Sequence, residues 1–151
     1  MSPVSNLTLR TATGADTQVI RDLLARNGLP TSDLSAARPE FVVASSAGQV
    51  IGVGALERFG RVALLRSIAV ETQRRGFGTG HLIVEELERR ARAAAVNQLI
   101  LLTLTARDFF ERLGYRVQER EQVPQAILES AEFRSLCPVS AICMAKDLAP
   151  N

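Results

Sequence analysis

The chain has 151 residues, of which 46% are hydrophobic and 23% charged, and its formal net charge at pH 7 is +2. These values predict a single domain over residues 1–151 with a sizeable core and no room for a second domain. The small net charge argues against a nucleic-acid partner, and no apolar run approaches the roughly 18 residues that a membrane-spanning helix needs.

The two cysteines and the N-terminus bear on the cellular compartment. Cys137 and Cys143 have the spacing of neither a paired zinc motif nor a dense disulfide framework. Residues 1–6 lack the basic and apolar regions of a secretory signal. We therefore expect a cytoplasmic protein without a bound metal, whose thiols are reduced and pack in the core.

The first elements are a strand and a helix. Apolar and polar residues alternate over residues 7–10, which predicts a short strand. Thr13 and Asp16 have the spacing of a capping box, and the helix after them carries its apolar residues on one face: Val19, Ile20, Leu23 and Leu24. Residues 29–39 are expected to form a connecting loop.

Three strands follow, over residues 40–44, 49–57 and 62–70. Small residues between the first two predict one hairpin, and Phe59-Gly60 predicts the turn of a second hairpin. The middle strand contains two glycines, which either mark a bulge or a close backbone approach, or accommodate a neighbouring helix.

A glycine-rich stretch, Gln-Arg-Arg-Gly-Phe-Gly-Thr-Gly, occupies residues 73–80 and precedes a helix predicted over residues 76–95. Glycines let the backbone approach a ligand, and the first N–H groups of a helix have no internal partners, so the stretch is typical of a phosphate site. The helix has an apolar stripe (Gly80, Ile83, Val84, Leu87, Ala91, Ala94) and, on its expected solvent face, the pairs Glu85/Arg89, Glu86/Arg90 and Glu88/Arg92.

The C-terminal part is predicted to contain a strand over residues 98–104, a helix over 107–113 and a strand over 115–120. A short helical piece within residues 123–135 then precedes a last strand over 140–146. The order β-α-β-β-β-α-β-α-β-β predicts an α/β (α+β) fold, with a mixed sheet of about seven strands flanked by helices.

Two common nucleotide-binding motifs do not fit the glycine-rich stretch. A P-loop needs Lys followed by Ser or Thr after its last glycine, whereas Gly80 is followed by His81 and Leu82. The dinucleotide fingerprint has a different glycine spacing, and it follows a βαβ pattern rather than a series of hairpins.

The stretch instead resembles the acetyl-CoA-binding signature of the GCN5-related N-acetyltransferases (GNAT), which reads Gln or Arg, two residues, Gly, one residue, then Gly or Ala. Gln73, Gly76 and Gly78 match it. Residues 64–70 resemble the family's central strand and residues 106–115 its second cofactor helix. Because the order of elements also agrees, the resemblance covers nearly the whole chain and implies the GNAT fold.

A narrower resemblance is to the arsenic-resistance branch of this family. It rests on residues 64–67, on residues 101–106 with Phe109 and Phe110, and on residues 133–144. Members of that branch N-acetylate amino-acid-like toxins such as arsinothricin and phosphinothricin. The resemblance implies an enzyme that moves an acetyl group from acetyl-CoA to the amine of a small molecule, and homodimers are frequent in the family.

The resemblance also implies a cofactor site. Backbone groups of Ile68, Ala69 and Val70 would pair with the pantetheine arm, and an N–H near Ile68 or Ala69 would stabilise the oxyanion. The remaining cofactor residues would be Arg74, Arg75, Gly76, Phe77, Gly78, Thr79 and Gly80 at the diphosphate, and Ala106, Phe109, Phe110 and Arg112 beside the arm.

Aromatic residues raise a question about the leaving thiolate. Many family members have a tyrosine beside the leaving sulfur, in the position that Phe110 holds here. Phenylalanine cannot donate a proton, so thiolate release would need water or direct departure. Phe109 is expected to pack in the core, and Tyr115, the only tyrosine, is expected to do the same.

The acceptor side has four candidate residues, one of them weaker than the others. An arginine within an apolar strand needs a partner, so Arg66 would bind an acid group of the acceptor unless it forms an internal ion pair or is exposed. Glu57 is the candidate base, and Thr103 could offer a hydroxyl; His81 is a weaker base. With a two-residue turn at Phe59-Gly60, Glu57 and Arg66 would share a face but lie about 13 Å apart, unless the register slips or the strand bulges.

Two other functions remain open. Because the usual tyrosine is absent, the chain could be a CoA-binding sensor without turnover. It could also acetylate a protein N-terminus or lysine, which would require an open groove in place of a cationic pocket.

Overall fold

The structure, a computed structural model, describes residues 7–29, 31, 39–74, 78–130, 133 and 141–148. The strands are β1 (Leu7–Thr11), β2 (Glu40–Ser46), β3 (Gln49–Phe59), β4 (Val62–Val70), β5 (Gln98–Thr103), β6 (Arg116–Val117) and β7 (Ile142–Asp147). The helices are α1 (Thr17–Arg26), α2 (Thr79–Ala93), α3 (Arg107–Arg112) and the single turn α4 (Gln125–Leu128).

The strands form one seven-stranded sheet in the order β1-β2-β3-β4-β5-β7-β6. This confirms the predicted mixed sheet and its chain order. Strands β4 and β5 are parallel, and they pair only from Val62 opposite Gln98 to Leu64 opposite Ile100. Beyond Leu64 the two strands part, so the middle of the sheet opens towards the C-terminal end of β4.

The long helices α1 and α2 pack on opposite faces of the sheet. Ile83 and Leu87 of α2 pack with Val42 of β2, whereas Leu23 of α1 packs with Val43, the next residue of the same strand. Neighbouring residues of a strand face opposite ways, so each helix covers one face. We call these the α1 face and the α2 face.

The two glycines of β3 make room for α2. A Cβ atom built on Gly54 would lie 2.6 Å from Ile83 Cγ2 and 2.9 Å from Leu87 Cδ1, and one on Gly52 would lie 2.8 Å from Ile83 Cδ1. Side chains there would push the helix away from the sheet. The structure confirms that both glycines accommodate a helix, and it confirms a bulge at Gly54, where the register of β3 and β4 shifts.

Several local predictions are confirmed. The N–H of Thr13 donates to Asp16 Oδ2 at 2.8 Å, as a capping box requires, and α1 buries Ile20, Leu23 and Leu24. Helix α2 buries Ile83, Val84, Leu87 and Ala91 of the predicted stripe. The predicted start of this helix at residue 76 lies outside the described residues.

Other predicted boundaries are wrong. The turn after β3 is Gly60-Arg61 rather than Phe59-Gly60, because Phe59 pairs with Val62 and Gly60 adopts a positive φ of 73°. The predicted strand over residues 115–120 contains only Arg116–Val117. That strand can pair with β7 alone, which limits its length.

We predict that Gly54→Ala lowers the free energy of unfolding by about 2 kcal/mol, because the new methyl group overlaps three side chains. Urea unfolding measures the change. Gly14→Ala is the control, since a Cβ atom there meets nothing within 4 Å, and it should change stability by no more than about 0.5 kcal/mol. Equal effects of the two substitutions would contradict the close packing of α2 on β3.

Candidate active site

A bulge interrupts β4 just beyond the point where β4 and β5 part. Ala55 pairs with Arg66 and Val53 with Ala69, so Gly54 alone faces the two residues between them. Ser67 is the first of these two, and its φ of 60° lies in the left-handed region. Bulges redirect side chains and increase the local twist of a strand.

Glu57 and Arg66 form a buried ion pair on the α1 face. Arg66 Nη1 donates to Glu57 Oε1 at 2.9 Å, and the exposed fraction of the side chain is 1% for Arg66 and 9% for Glu57. The expected separation of about 13 Å is therefore wrong, and Arg66 forms the internal ion pair that the sequence left open as the alternative to an acceptor contact. The shifted turn places Glu57 opposite Leu64, two residues from Arg66, so the two charged residues are diagonal neighbours.

The other acceptor-side candidate, Thr103, lies at the end of β5 and is buried. Its hydroxyl accepts a hydrogen bond from the N–H of Ala106 at 2.9 Å, across the turn into α3. Thr103 and Arg66 both lie beyond the last β4–β5 pair. The hydroxyl of Thr103 therefore fixes the turn that begins α3, and its use towards an acceptor stays a prediction.

The first turn of α2 lies close to α3. Gly78, with φ 84°, precedes the helix, and a Cβ atom on Gly80 would lie 3.3 Å from Phe109 Cζ. Glycine at position 80 thus permits the contact between the two elements. Arg75, Gly76 and Phe77 of the predicted diphosphate site lie outside the described residues, and Arg74 ends a 3-10 turn that begins at Thr72.

Helix α3 carries two phenylalanines in an edge-to-face arrangement. Phe110 is buried, with its ring centroid 5.0 Å from that of Phe109 and 5.5 Å from that of Tyr115. Phe109 is only partly buried and packs on the edge of the core. The expected packing of Phe109 against the core is confirmed, although Phe110 is the more deeply buried of the two. Arg112, also predicted to border the cofactor, is exposed.

Tyr115 belongs to a buried polar cluster rather than to an open site. Its hydroxyl donates to Glu88 Oε2 at 2.8 Å, and Lys146 Nζ lies 3.1 Å from the same oxygen. Burial, with the nearby Glu88 carboxylate, raises the pKa of Tyr115 far above its usual value. The predicted core role of Tyr115 is confirmed, and a proton donor with so high a pKa would be ineffective.

The expected place of Glu88 on the solvent face of α2 is wrong, since this residue is only 6% exposed. The sequence held a signal for its burial: Glu88 follows Val84 by four residues, which places it beside the apolar stripe. Glu86 does pair with Arg90 at 2.8 Å, as predicted.

His81 and Cys143 take no part in this region. His81 is exposed, with Nε2 3.5 Å from Glu85 Oε2. Cys143 is buried, and burial raises the pKa of its thiol to about 11, whereas Cys137 lies outside the described residues. Among the residues that the structure describes, no cluster of His, Cys, Asp and Glu could hold a metal ion. No described helix is long and apolar enough to span a membrane.

A cavity of about 310 Å³ lies apart from the parted strands, between the N-terminal end of α1 and the start of β2. Thr11, Glu40 and Arg90 are among the residues that line it. Arg90 Nη1 donates to Thr11 Oγ1 at 2.9 Å. The lining includes none of Glu57, Arg66 and Thr103, so this cavity is separate from the candidate active site.

Comparison with known families identifies the class of protein. Residues 37–117, more than half of the chain, match the model of the acetyltransferase (GNAT) domain. The chain belongs to the GNAT acetyltransferase family.

Individual relatives agree with this assignment. An uncharacterized N-acetyltransferase of Chlorobaculum tepidum, CT2212, is 37% identical over 105 residues, which are 69% of this chain and 65% of that protein. The match thus spans slightly less than two thirds of the relative's length.

Solved structures share the fold over almost the whole chain. Rv2747 from Mycobacterium tuberculosis, in complex with CoA and a second ligand, superposes with a TM-score of 0.80 and is 26% identical, with coverage of 94% of this chain and 99% of that one. N-acetylglutamate synthase from Neisseria gonorrhoeae, complexed with coenzyme A and N-acetyl-glutamate, gives a TM-score of 0.81 at 17% identity, with coverage of 95% and 35%. The second likeness concerns the fold alone.

We predict that Glu57→Gln and Arg66→Met each lower the free energy of unfolding by about 3 kcal/mol, because each removes one partner of a buried ion pair. The double variant should lose clearly less than the sum of the two. Urea unfolding of all four proteins gives the coupling energy.

The same cycle on Arg107 and Glu111 is the control, because that pair is exposed, with an N–O distance of 3.4 Å. Its coupling energy should stay below about 0.5 kcal/mol. Additive effects at Glu57 and Arg66 would contradict a buried pair.

Proposed function

We propose that this chain is an acetyl-CoA-dependent N-acetyltransferase acting on the amine of a small amino-acid-like acceptor. The observation that carries the proposal is the buried Glu57–Arg66 pair beside the parted strands, in a chain of the GNAT family. An acid group and an amine on one small molecule have opposite charges, so binding would require Arg66, which is 1% exposed and bonded to Glu57, to take the acid group and Glu57 to take the amine.

The cofactor side of the proposal uses the opening between β4 and β5. The pantetheine arm of acetyl-CoA would pair with the backbone of Ile68, Ala69 and Val70, in the space that β5 leaves. The diphosphate would bind along residues 74–80, where the N–H groups that begin α2 favour an anion. The contact of Phe109 with Gly80 supports this arrangement, since it brings α3 next to the start of α2.

The acceptor side uses the charged pair. Arg66 would bind the acceptor's carboxylate, phosphinate or arsonic group, and Glu57, directly or through water, would take the proton that the amine loses. Thr103 lies at the end of the neighbouring strand as a further candidate contact. Acidic analogues such as arsinothricin and phosphinothricin fit these charges, so we propose resistance to such compounds as the biological role.

The chemistry needs few side chains. The neutral amine nitrogen attacks the thioester carbonyl carbon, a C–N bond forms, and the C–S bond then breaks as the thiolate leaves. A backbone N–H at Ile68 or Ala69 would stabilise the oxyanion by about 3 kcal/mol. Phe110 has no proton to donate, and the Tyr115 hydroxyl is hydrogen-bonded to Glu88. We therefore assign protonation of the thiolate to water.

The proposed function also implies a cellular location and a set of partners. The enzyme would act in the cytoplasm on a small molecule, without a nucleic-acid or membrane partner and without a metal. We expect it to form a homodimer, which analytical ultracentrifugation can test.

Thiol release from acetyl-CoA tests the proposed function. We predict release with at least one of phosphinothricin, arsinothricin or an acidic amino acid, and none with simple alkylamines of similar chain length, because these carry no acid group for Arg66. Release with peptides alone would instead favour a protein acetyltransferase. Tight CoA binding without release from any acceptor would favour a sensor and contradict the proposal.

Arg66→Lys separates the two substrates in the same assay. Lysine keeps the positive charge beside Glu57 but loses the guanidinium fork that binds a carboxylate through two hydrogen bonds. The KM of the acceptor should rise by about tenfold, while that of acetyl-CoA changes by less than about twofold. Equal changes in both would remove Arg66 from the acceptor site.

A further inference from the structure

A buried polar cluster joins the two helices that the proposed cofactor site uses. Glu88 of α2 accepts a hydrogen bond from the Tyr115 hydroxyl at 2.8 Å. Lys146 Nζ donates to both carboxylate oxygens of Glu88, at 3.2 and 3.1 Å. The same Nζ donates at 2.8 Å to the carbonyl of Leu113, the residue that caps the C-terminal end of α3. One carboxylate of α2 therefore anchors the end of α3.

The shape of Lys146 suits this place. It is the only lysine in a chain with 18 Lys and Arg residues in total. Its stem lies against Gly114, where a Cβ atom would be 3.4 Å from Lys146 Cε, and Nζ lies 5.4 Å from the ring centroid of Tyr115. An ammonium is compact and has three donors, whereas a guanidinium is a wide planar fork. The place between Glu88 and the end of α3 thus favours a compact cation.

A second contact joins the same two helices at the start of α2. The ring of Phe110 lies between those of Tyr115 and Phe109, with centroid distances of 5.5 and 5.0 Å. Phe109 Cζ in turn lies 3.3 Å from the place of a Cβ atom on Gly80. Gly80 and Glu88 are eight residues apart in sequence, which is about 12 Å along a helix. Helix α3 is therefore held against α2 at two separated points, and it cannot pivot about either one.

Acetyl-CoA would contact both helices under the proposed function. Its diphosphate would bind where α2 begins, and its pantetheine arm would lie beside α3. A ligand that spans two elements binds more tightly when their spacing is fixed beforehand, because ordering them on binding costs free energy. The cluster around Glu88 can supply this fixed spacing without touching the cofactor.

We propose that Glu88 and Lys146 are positioning residues for acetyl-CoA, and that they fix the spacing between the diphosphate-binding start of α2 and the arm-binding helix α3. Neither residue touches the reacting atoms. A purpose of this kind accounts for a carboxylate and an ammonium that are largely removed from water, since apolar residues could serve stability alone. The proposal rests on the proposed acetyl transfer and names the interaction that preorganises its cofactor site.

Lys146→Met tests this proposal, because it removes the ammonium and keeps a side chain of similar length. Calorimetric titration should show that the Kd of CoA rises by at least about tenfold, since the two parts of its site lose their fixed spacing. Adenosine 3′-phosphate 5′-diphosphate is the part of CoA without the arm. Its Kd should stay within about twofold of the wild-type value, because it needs only the start of α2. The KM of the acceptor should also change by less than about twofold.

Two further variants distinguish positioning from stability. Glu88→Gln keeps the size of the side chain and one acceptor oxygen, so it is the milder change, and it should raise the Kd of CoA by about threefold through the lost charge-assisted bonds. Ile20→Ala is the control. It removes a buried side chain at the end of α1 that lines the separate cavity, so it should lower Tm and leave the Kd of CoA unchanged.

The outcomes separate this proposal from the proposed function. Weaker binding of CoA with unchanged binding of the fragment supports the positioning role. Equal weakening of CoA and the fragment, or wild-type affinity for CoA in both Lys146→Met and Glu88→Gln, would overturn that role, and thiol release by the wild-type enzyme would still uphold the acetyltransferase. Failure of the wild-type enzyme to bind CoA would overturn both proposals.

Discussion

The parting of β4 and β5 is the constraint on which the candidate site depends. The two strands pair from Val62 to Leu64 and no further, so the backbone groups of β4 beyond that point have no partner in β5. Exposed N–H and C=O groups at the edge of a strand are a ready surface for an extended ligand. The bulge at Ser67 lies just beyond this point, and bulges increase the local twist of a strand.

The packing around the opening keeps its borders in place. On one border, Gly52 and Gly54 let α2 lie directly on β3, and the start of α2 meets Phe109 at Gly80. Elsewhere in the domain, Glu88 joins α2 to Tyr115 and Lys146, and Lys146 Nζ also donates to the carbonyl of Leu113 at 2.8 Å. These contacts hold α3 against the body of the domain. The rigid surroundings suit a site in which a thioester and an amine must meet at a fixed distance.

The buried Glu57–Arg66 pair connects this scaffold to the chemistry. Burying two charges is costly, and apolar residues of similar size often serve stability equally well. Such a pair therefore suggests a purpose other than stability. Under the proposed function, the pair holds one acidic and one basic group in a fixed arrangement for a zwitterionic acceptor.

The sequence predicted what depends on local pattern. Periodicity identified β4 and the buried stripe of α2, the capping box identified α1, and the spacing of Gln73, Gly76 and Gly78 identified the family. The register of the β3–β4 hairpin was harder to predict. A shift of the turn by one residue places Glu57 opposite Leu64 instead of Val62, two positions further along β4. A single chain gives no direct signal for such a shift.

Other features depend on contacts between distant elements. Glu88 has the helical spacing of a solvated charge, and only Tyr115 and Lys146, from other elements, explain its burial. Which of Phe109 and Phe110 is the more deeply buried depends on how α3 packs against the core. No sequence pattern predicted the positive φ of Ser67, because this conformation belongs to the bulge and does not follow from the residue type.

Hydrogen exchange of backbone amides with and without CoA is the most direct test of a cofactor site between the parted strands. CoA should slow exchange in β4 from Ile68 to Val70 and in the first turn of α2, where the arm and the diphosphate would bind. Amides around Phe41, beside the separate cavity, should be unaffected. Slower exchange at that cavity with no change in β4 would contradict a cofactor site between the parted strands.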